Sequence, residues 1–299
     1  MILRGNYVTL FQGIFMGIIQ GLTEFLPVSS SGHLAISRYI FGLHFDNILF
    51  EVLLHIGTLI AIIAIFYKDV FSMVLNGIKL IKNLLFYLYT KLIINFLLNK
   101  KEELPKIIVT NEERFVMLII IGSIPTAIIG LLLEKIIIVS FDMILVPGIC
   151  LMITGGLLSY TRKIKFGFKK EKDISYFDAI TIGVFQGLAA LPGISRSGST
   201  IVAGLIKGLD RELAVKFSFL MSLPAVFGAM LLQFKDISVN SISGIITLPH
   251  IIGTVISAIV GYICIKFLLK LIRRNKLYYF GYYCLILGTI VIITYFINI

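Results

Sequence analysis

The sequence predicts an all-α integral membrane protein, with six transmembrane helices plus two re-entrant helix–loop–helix elements in an inverted-topology repeat. Three observations predict this. First, 58% of the 299 residues are hydrophobic and the mean hydropathy is +0.99, a composition that places the chain in a bilayer. Second, two polar stretches repeat each other. Gln20-Gly-Leu-Thr-Glu24-Phe-Leu-Pro27-Val-Ser29-Ser30-Ser31-Gly32-His33 and Gln186-Gly-Leu-Ala-Ala-Leu-Pro192-Gly-Ile-Ser195-Arg196-Ser197-Gly198-Ser199-Thr200 both read QGL, then Leu-Pro, then Ser-x-Ser-Gly. Their QGL and Ser-Gly landmarks stand 166 residues apart in each case. Third, Lys and Arg gather in alternate connections, the bias that orients membrane helices.

A helix needs about 20 apolar residues to cross a bilayer. Six segments meet that length, near 48–67, 114–133, 141–160, 211–233, 247–270 and 277–298. The two polar repeats, near 8–37 and 176–206, are long enough to enter and leave, but Pro and a serine-rich turn interrupt both. Non-helical backbone at that depth must be buried in protein or line a wet cavity, so each reads as re-entrant. The basic connections are Lys68–Arg114, Arg162–Lys172 and Lys266–Lys276, whereas those around Glu134-Lys135 and Lys235-Asp236 are short and balanced. With the basic connections inside, the first re-entrant enters from outside and the second from inside. Repeat 1 then covers 1–160 and repeat 2 covers 176–299, in one membrane domain over 1–299. Binding sites in such architectures lie where the broken helices meet.

Residues 75–112 are an insertion in repeat 1. Asn83–Asn99 is apolar enough to span, but Lys91 sits mid-way and lysines flank both ends. It is expected to lie on the inner leaflet as an interfacial helix or hairpin. The net charge of +11 is read as topology and headgroup attraction and not as a nucleic-acid surface. The three cysteines, Cys150, Cys264 and Cys284, stand alone in apolar runs and read as small buried hydrophobes.

Ionisable groups within the membrane carry the candidate chemistry. Glu24 stands four residues after Gln20, on the same helical face, and reads as a general base or cation ligand. Ser29, Ser30 and Ser31 precede a helix expected to begin near Leu34, where hydroxyls and free N–H groups favour anions such as phosphate. Ser30 is the candidate nucleophile because Glu24 and His33 are the nearest bases, although spacing alone does not select it over Ser29 or Ser31. The second copy replaces Glu24 by Ala190, Ser30 by Arg196 and His33 by Ser199. One half therefore supplies base and nucleophile, and the other an arginine among Ser195, Ser197, Gly198 and Thr200, suited to bidentate phosphate contact and to a phosphoryl transition state. Glu51 and His55, four apart at the start of a span, read as a structural polar pair. His250, beside Pro249, reads as an interfacial residue at the outer end of a span.

With these residues in view, the paired signature resembles that of the bacterial undecaprenyl-diphosphate phosphatases of the bacitracin-resistance type. The likeness continues through Phe50-Glu51-Val-Leu-Leu-His55-Ile-Gly57-Thr58 and Phe217-Ser-Phe-Leu-Met-Ser-Leu-Pro224-Ala-Val-Phe-Gly-Ala229, and fades only over about 75–112. The resemblance implies essential roles for Glu24, Ser30, His33 and Arg196, with Gln20, Ser29, Ser31, Ser195, Ser197, Gly198 and Thr200 on the substrate. It also implies a divalent cation, Mg or Ca, at Glu24; Gln20 stands where many relatives carry Glu, which leaves one carboxylate for it. The implied activity is cleavage of undecaprenyl diphosphate to undecaprenyl phosphate and inorganic phosphate, which recycles the lipid carrier of cell-wall synthesis in the bacterial cell membrane. The partners are then a polyprenyl diphosphate and membrane lipid, with no nucleic acid, and the family is compatible with a homodimer. The site is expected to open outward, to the extracytoplasmic side. The alternative reading is a lipid-phosphate carrier or flippase that uses the same anion site without hydrolysis.

Overall fold

The structure is a computed structural model, and it describes residues 8–41, 48–97, 102–165, 167–235 and 246–297. Everything regular in these residues is helical: α1 (Leu10–Phe25), α2 (Ser30–Phe41), α3 (Ile48–Ile65), α4 (Tyr67–Tyr89) continued by a π-helical stretch Thr90–Leu97, α5 (Asn111–Asp142), α6 (Leu145–Tyr160), α7 (Tyr176–Leu188), α8 (Arg196–Ile206), α9 (Arg211–Lys235), α10 (Leu248–Arg273) and α11 (Tyr278–Ile297). Three of the starts are written locally as capping boxes, in which a hydroxyl and a side chain three residues on satisfy the free N–H groups. These are Thr9/Gln12 on α1, Thr110/Glu113 on α5 and Ser175/Asp178 on α7.

Six of the described helices are long and apolar enough to cross a membrane: Tyr67–Ile93, Asn111–Ser140, Leu145–Lys163, Arg211–Leu231, Leu248–Arg273 and Tyr278–Ile297. Five coincide with expected spans. The expected 48–67 span is α3, an apolar helix of 18 residues. Glu134-Lys135 is not a connection, because α5 runs through it to Asp142; two charges at a helix end do not break hydrogen bonds between backbone groups. The connection at Lys235-Asp236 begins where α9 ends, and Asp236 lies outside the described residues. The 75–112 insertion forms no hairpin in its described part, 75–97 and 102–112. Gly77 faces Val116 and Asn83 bonds the Ile107 carbonyl at 3.1 Å, so α4 meets the start of α5 and the segment that leads into it. Lys100 and Lys101, which flanked the expected interfacial helix, and Asn99, its end, fall outside the described residues.

The two halves pack crosswise, each first helix lying on a late helix of the other half. Gly13, Gly17 and Gly21 of α1 meet Pro249, Gly253 and Ser257 of α10, in rising order on both, so these helices are parallel. Gly122 of α5 faces Gly183 of α7, and Ile129 faces Gly187, so they too are parallel. A Cβ at Gly17 or Gly183 would strike the opposing backbone; small residues here let the helices touch. α6 and α11 cross antiparallel, with Gly148 near Gly288 and Gly155 near Gly281.

The two sets point opposite ways. Phe66, just past α3, and Leu269 and Arg273, at the end of α10, line one cavity of about 610 Å³ with Asn111 and Glu112 at the start of α5 and Leu213 and Lys216 of α9. Helices of the first set therefore end where those of the second begin. Phe25, Phe66, Phe115, Phe217 and Phe219 fill the core between the sets.

Candidate active site

Both polar repeats are helix–break–helix units. α1 stops at Phe25 and α2 begins at Ser30; α7 stops at Leu188 and α8 begins at Arg196. The helix expected near Leu34 thus starts four residues earlier, so Ser30, Ser31 and His33 all stand in its first turn. The reason is a cap at Ser29, whose Oγ accepts from the Gly32 N–H at 3.2 Å. Ser195 does the same in the second copy, accepting from the Gly198 N–H at 3.1 Å. The copies match further: Ser29 and Ser31 hydroxyls lie 3.3 Å apart, as do those of Ser195 and Ser197. Ser30 and Arg196 are therefore equivalent positions, each the first residue of its helix.

The two breaks abut. Gly32 packs on Gly193, whose N–H reaches Ser31 Oγ at 3.4 Å. Thr154 of α6 holds the second break, donating to the Gly193 carbonyl and accepting from the Ser195 N–H, both at 3.0 Å. Gly193 has φ +99, the left-handed region that glycine occupies without strain. Ser29 has φ +69, a rarer state for a residue with a side chain. It is held by its cap and by its carbonyl, which accepts from the His33 N–H at 3.2 Å and from His33 Nδ1 at 2.7 Å.

At the junction, Glu24 is the hub. Ser30 Oγ donates to its Oε2 at 2.6 Å and Gln20 Nε2 to the same oxygen at 3.1 Å. Arg196 Nη2 forms an ion pair with Oε1. The pair is largely shielded from solvent, the Glu24 and Arg196 side chains being 6% and 17% exposed. Among the described residues, three buried polar atoms of these two break units have no partner: Arg196 Nη1, Gln20 Oε1 and Ser199 Oγ. Buried polar groups are seldom left unpaired, and such atoms mark space for a ligand or an ion.

The structure brings Gln20, Glu24, Ser30 and Arg196 into one hydrogen-bonded group. His33 stands on the same turn with both ring nitrogens engaged elsewhere: Nδ1 with the Ser29 carbonyl, Nε2 with Tyr283 Oη of α11 at 2.7 Å. Thr200 is turned away from the junction, sharing a 2.5 Å hydrogen bond with Ser218 of α9. Ser197 and Gly198 serve the cap.

Two residues at the site escaped the sequence reading. The sequence reads His55 with Glu51 as a structural pair. Its Nδ1 does bond the Glu51 carbonyl, at 2.8 Å, but its Nε2 faces Glu24 Oε2 at 3.9 Å. Tyr283 carried no signal at all, being one of several tyrosines on α11. His250 stands in the first turn of α10 and is only 3% exposed, buried against Phe50, and not at an interface.

A family model described as bacitracin resistance protein BacA matches residues 13–290. The chain belongs to the BacA family. Among its relatives is a protein of Halothermothrix orenii named undecaprenyl-diphosphatase, 41% identical over 95% of this chain and 97% of its own. Proteins with the same name from Alkaliphilus metalliredigens and Methanosphaera stadtmanae are 41% and 43% identical, over 96% and 95% of this chain and 98% and 97% of theirs. With six apolar helices, this BacA-family chain is a multi-pass membrane protein.

Among the described residues no group of three or more His, Cys, Asp and Glu side chains forms a metal cluster. The junction nevertheless offers one carboxylate, Glu24, beside the unpartnered Gln20 Oε1. That set fits a magnesium-type site, which uses one or two carboxylates and takes its other ligands from phosphate and water.

Proposed function

We propose that the chain hydrolyses undecaprenyl diphosphate to undecaprenyl phosphate and inorganic phosphate in the bacterial cell membrane, from a site open to the extracytoplasmic side. This recycles the lipid carrier of cell-wall synthesis. The observation that carries the reading is a double contact on one carboxylate, Ser30 Oγ on one Glu24 oxygen and Arg196 on the other, beside a second Arg196 amino group that has no partner among the described residues. The name undecaprenyl-diphosphatase on full-length relatives agrees with it.

The residues divide the work as follows. Arg196 Nη1 donates to an oxygen of the terminal phosphate, where a fixed guanidinium stabilises the charge that spreads over the phosphoryl group. Glu24 accepts the Ser30 proton across the 2.6 Å hydrogen bond, which makes the hydroxyl oxygen a competent nucleophile. The same contact serves attack by Ser30 itself or by a water that Ser30 and Glu24 orient. In either route the anhydride bond breaks and undecaprenyl phosphate leaves; in the first, water then breaks the Ser30–phosphorus bond, Glu24 returns its proton to Ser30 Oγ and inorganic phosphate leaves. His33 takes the proton of water, because Glu24 already serves Ser30 and neither His33 nitrogen bonds that hydroxyl. Glu24 and Gln20 Oε1 would hold the divalent cation, which supplies charge neutralisation at the phosphates. The prenyl tail lies among the spans, and the lysines of the 75–112 insertion sit at the headgroups.

The test is phosphate release from undecaprenyl diphosphate by purified protein in detergent, with and without a chelator. Release that the chelator suppresses supports both the hydrolase and its cation. Binding of the lipid without release overturns the hydrolase.

A further inference from the structure

His33 can be assigned a tautomer from its partners alone. A carbonyl only accepts, so Nδ1, 2.7 Å from the Ser29 oxygen, carries the proton. Nε2 is then a lone-pair acceptor, and the Tyr283 hydroxyl 2.7 Å away donates to it. The two rings also stack, with centroids 5.7 Å apart and planes within 10°. The imidazole is thus held on both sides: by the left-handed Ser29 turn of the first half and by α11 of the second.

The repeat supplies an internal control. Gly148 and Gly155 of α6 have the same spacing as Gly281 and Gly288 of α11, and these are the glycines through which the two helices touch. Tyr283, two residues after Gly281, therefore answers to Cys150, two residues after Gly148. His33 answers to Ser199, whose Oγ is buried without a partner among the described residues. Packing of α6 on α11 does not call for a tyrosine, since the equivalent place is filled by a cysteine. The ring and hydroxyl come from the second half and meet only the break that holds Ser30 and Glu24.

We propose that Tyr283 positions His33 and relays its proton. Its hydroxyl fixes the imidazole as the Nδ1–H tautomer and occupies the single Nε2 lone pair, so a water proton reaches that nitrogen through the tyrosine oxygen. As a water O–H bond breaks and its proton joins the Tyr283 oxygen, the original Tyr283 O–H bond breaks and that proton forms the Nε2–H bond, so the phenol is neutral before and after. The Tyr283 oxygen then accepts from Nε2–H, and the pair stays in contact in both states. This inference rests on the hydrolase reading for its kinetic consequence, and on geometry alone for the pairing.

The experiment uses full-length Tyr283→Phe, which keeps the stacked ring and removes only the hydroxyl. Turnover is expected to fall about tenfold, the upper end for losing one hydrogen bond, with KM within about twofold. Nitrogen-15 spectra of histidine-labelled protein in lipid vesicles, with His33 assigned by its loss in His33→Asn, should show Nε2 moving on Tyr283→Phe while Nδ1–H stays. Unchanged turnover, or lost turnover with an unchanged His33 spectrum, overturns the proposal. If wild type releases no phosphate, the hydrolase reading fails, and the spectrum still decides whether Tyr283 holds His33.

Discussion

Glu24 and Arg196, 172 residues apart in the chain, form one ion pair at the meeting point of the two helix breaks. Each comes from a different half, and each is absent from the equivalent place in the other, where Ala190 and Ser30 stand. The repeat therefore builds a symmetric frame around an asymmetric centre. Removing one partner of a buried pair leaves the other charge uncompensated, at a cost of about 3–5 kcal/mol. Glu24→Ala and Arg196→Ala should each lower the thermal midpoint in detergent, and Glu24→Gln should lower it less, because the amide still accepts from Ser30. Equal midpoints for all three would contradict the buried pair.

The turn at Ser29 separates two roles of one residue. Its hydroxyl caps α2, and its backbone takes φ +69. Ser29→Ala loses the cap and keeps the strain, with an expected loss of about 1 kcal/mol. Ser29→Gly relieves the backbone and costs only a few tenths of that unit. Denaturation of the two variants should therefore rank Gly above Ala, and the reverse order would refute the role given to the turn.

Much of this centre is legible in the sequence. The 166-residue repeat pairs Ser30 with Arg196, and the four-residue step from Gln20 puts Glu24 on the same face. His55 and Tyr283 were out of reach for a physical reason. They arrive through packing of α3 and α11 on the breaks, and no local period encodes which residue of a neighbouring helix faces inward. The serines read as a loop in the sequence, whereas a single cap at Ser29 lets the next serine begin α2. Charge at Glu134-Lys135 reads as a helix end, whereas α5 runs through it.

The glycine contacts give a paired test. Gly17→Ala and Gly183→Ala place a methyl against opposing backbone and should destabilise by about 1–3 kcal/mol. Gly130→Ala and Gly156→Ala, where a Cβ meets open space, should be neutral or mildly stabilising. Thermal scans of the four proteins decide it, and a loss at Gly130 as large as at Gly183 would argue against the helix packing.

Past the end of α8, whose first residue is Arg196, Asp210 caps α9. Its carboxylate accepts from the Leu213 N–H at 2.9 Å and pairs with Lys170. Partial burial pushes its pKa up, but the Leu213 N–H and the Lys170 ammonium outweigh this and hold it below the usual carboxylate value. A depressed folded pKa gives stability that is present above the unfolded value and lost as pH falls through the folded one. Asp210→Asn should therefore narrow the gap in midpoint between neutral and acidic pH, from about pH 4 downward. An acid limb identical to wild type would show that Asp210 contributes nothing to it.

The central claim is that Ser30 from one half and Arg196 from the other act on the same phosphate. The most direct measurement is phosphate release from undecaprenyl diphosphate by wild type, Ser30→Ala and Arg196→Ala under saturating lipid. The account predicts release by wild type and a loss of roughly a hundredfold or more in each variant. Either variant turning over near the wild-type rate would contradict it.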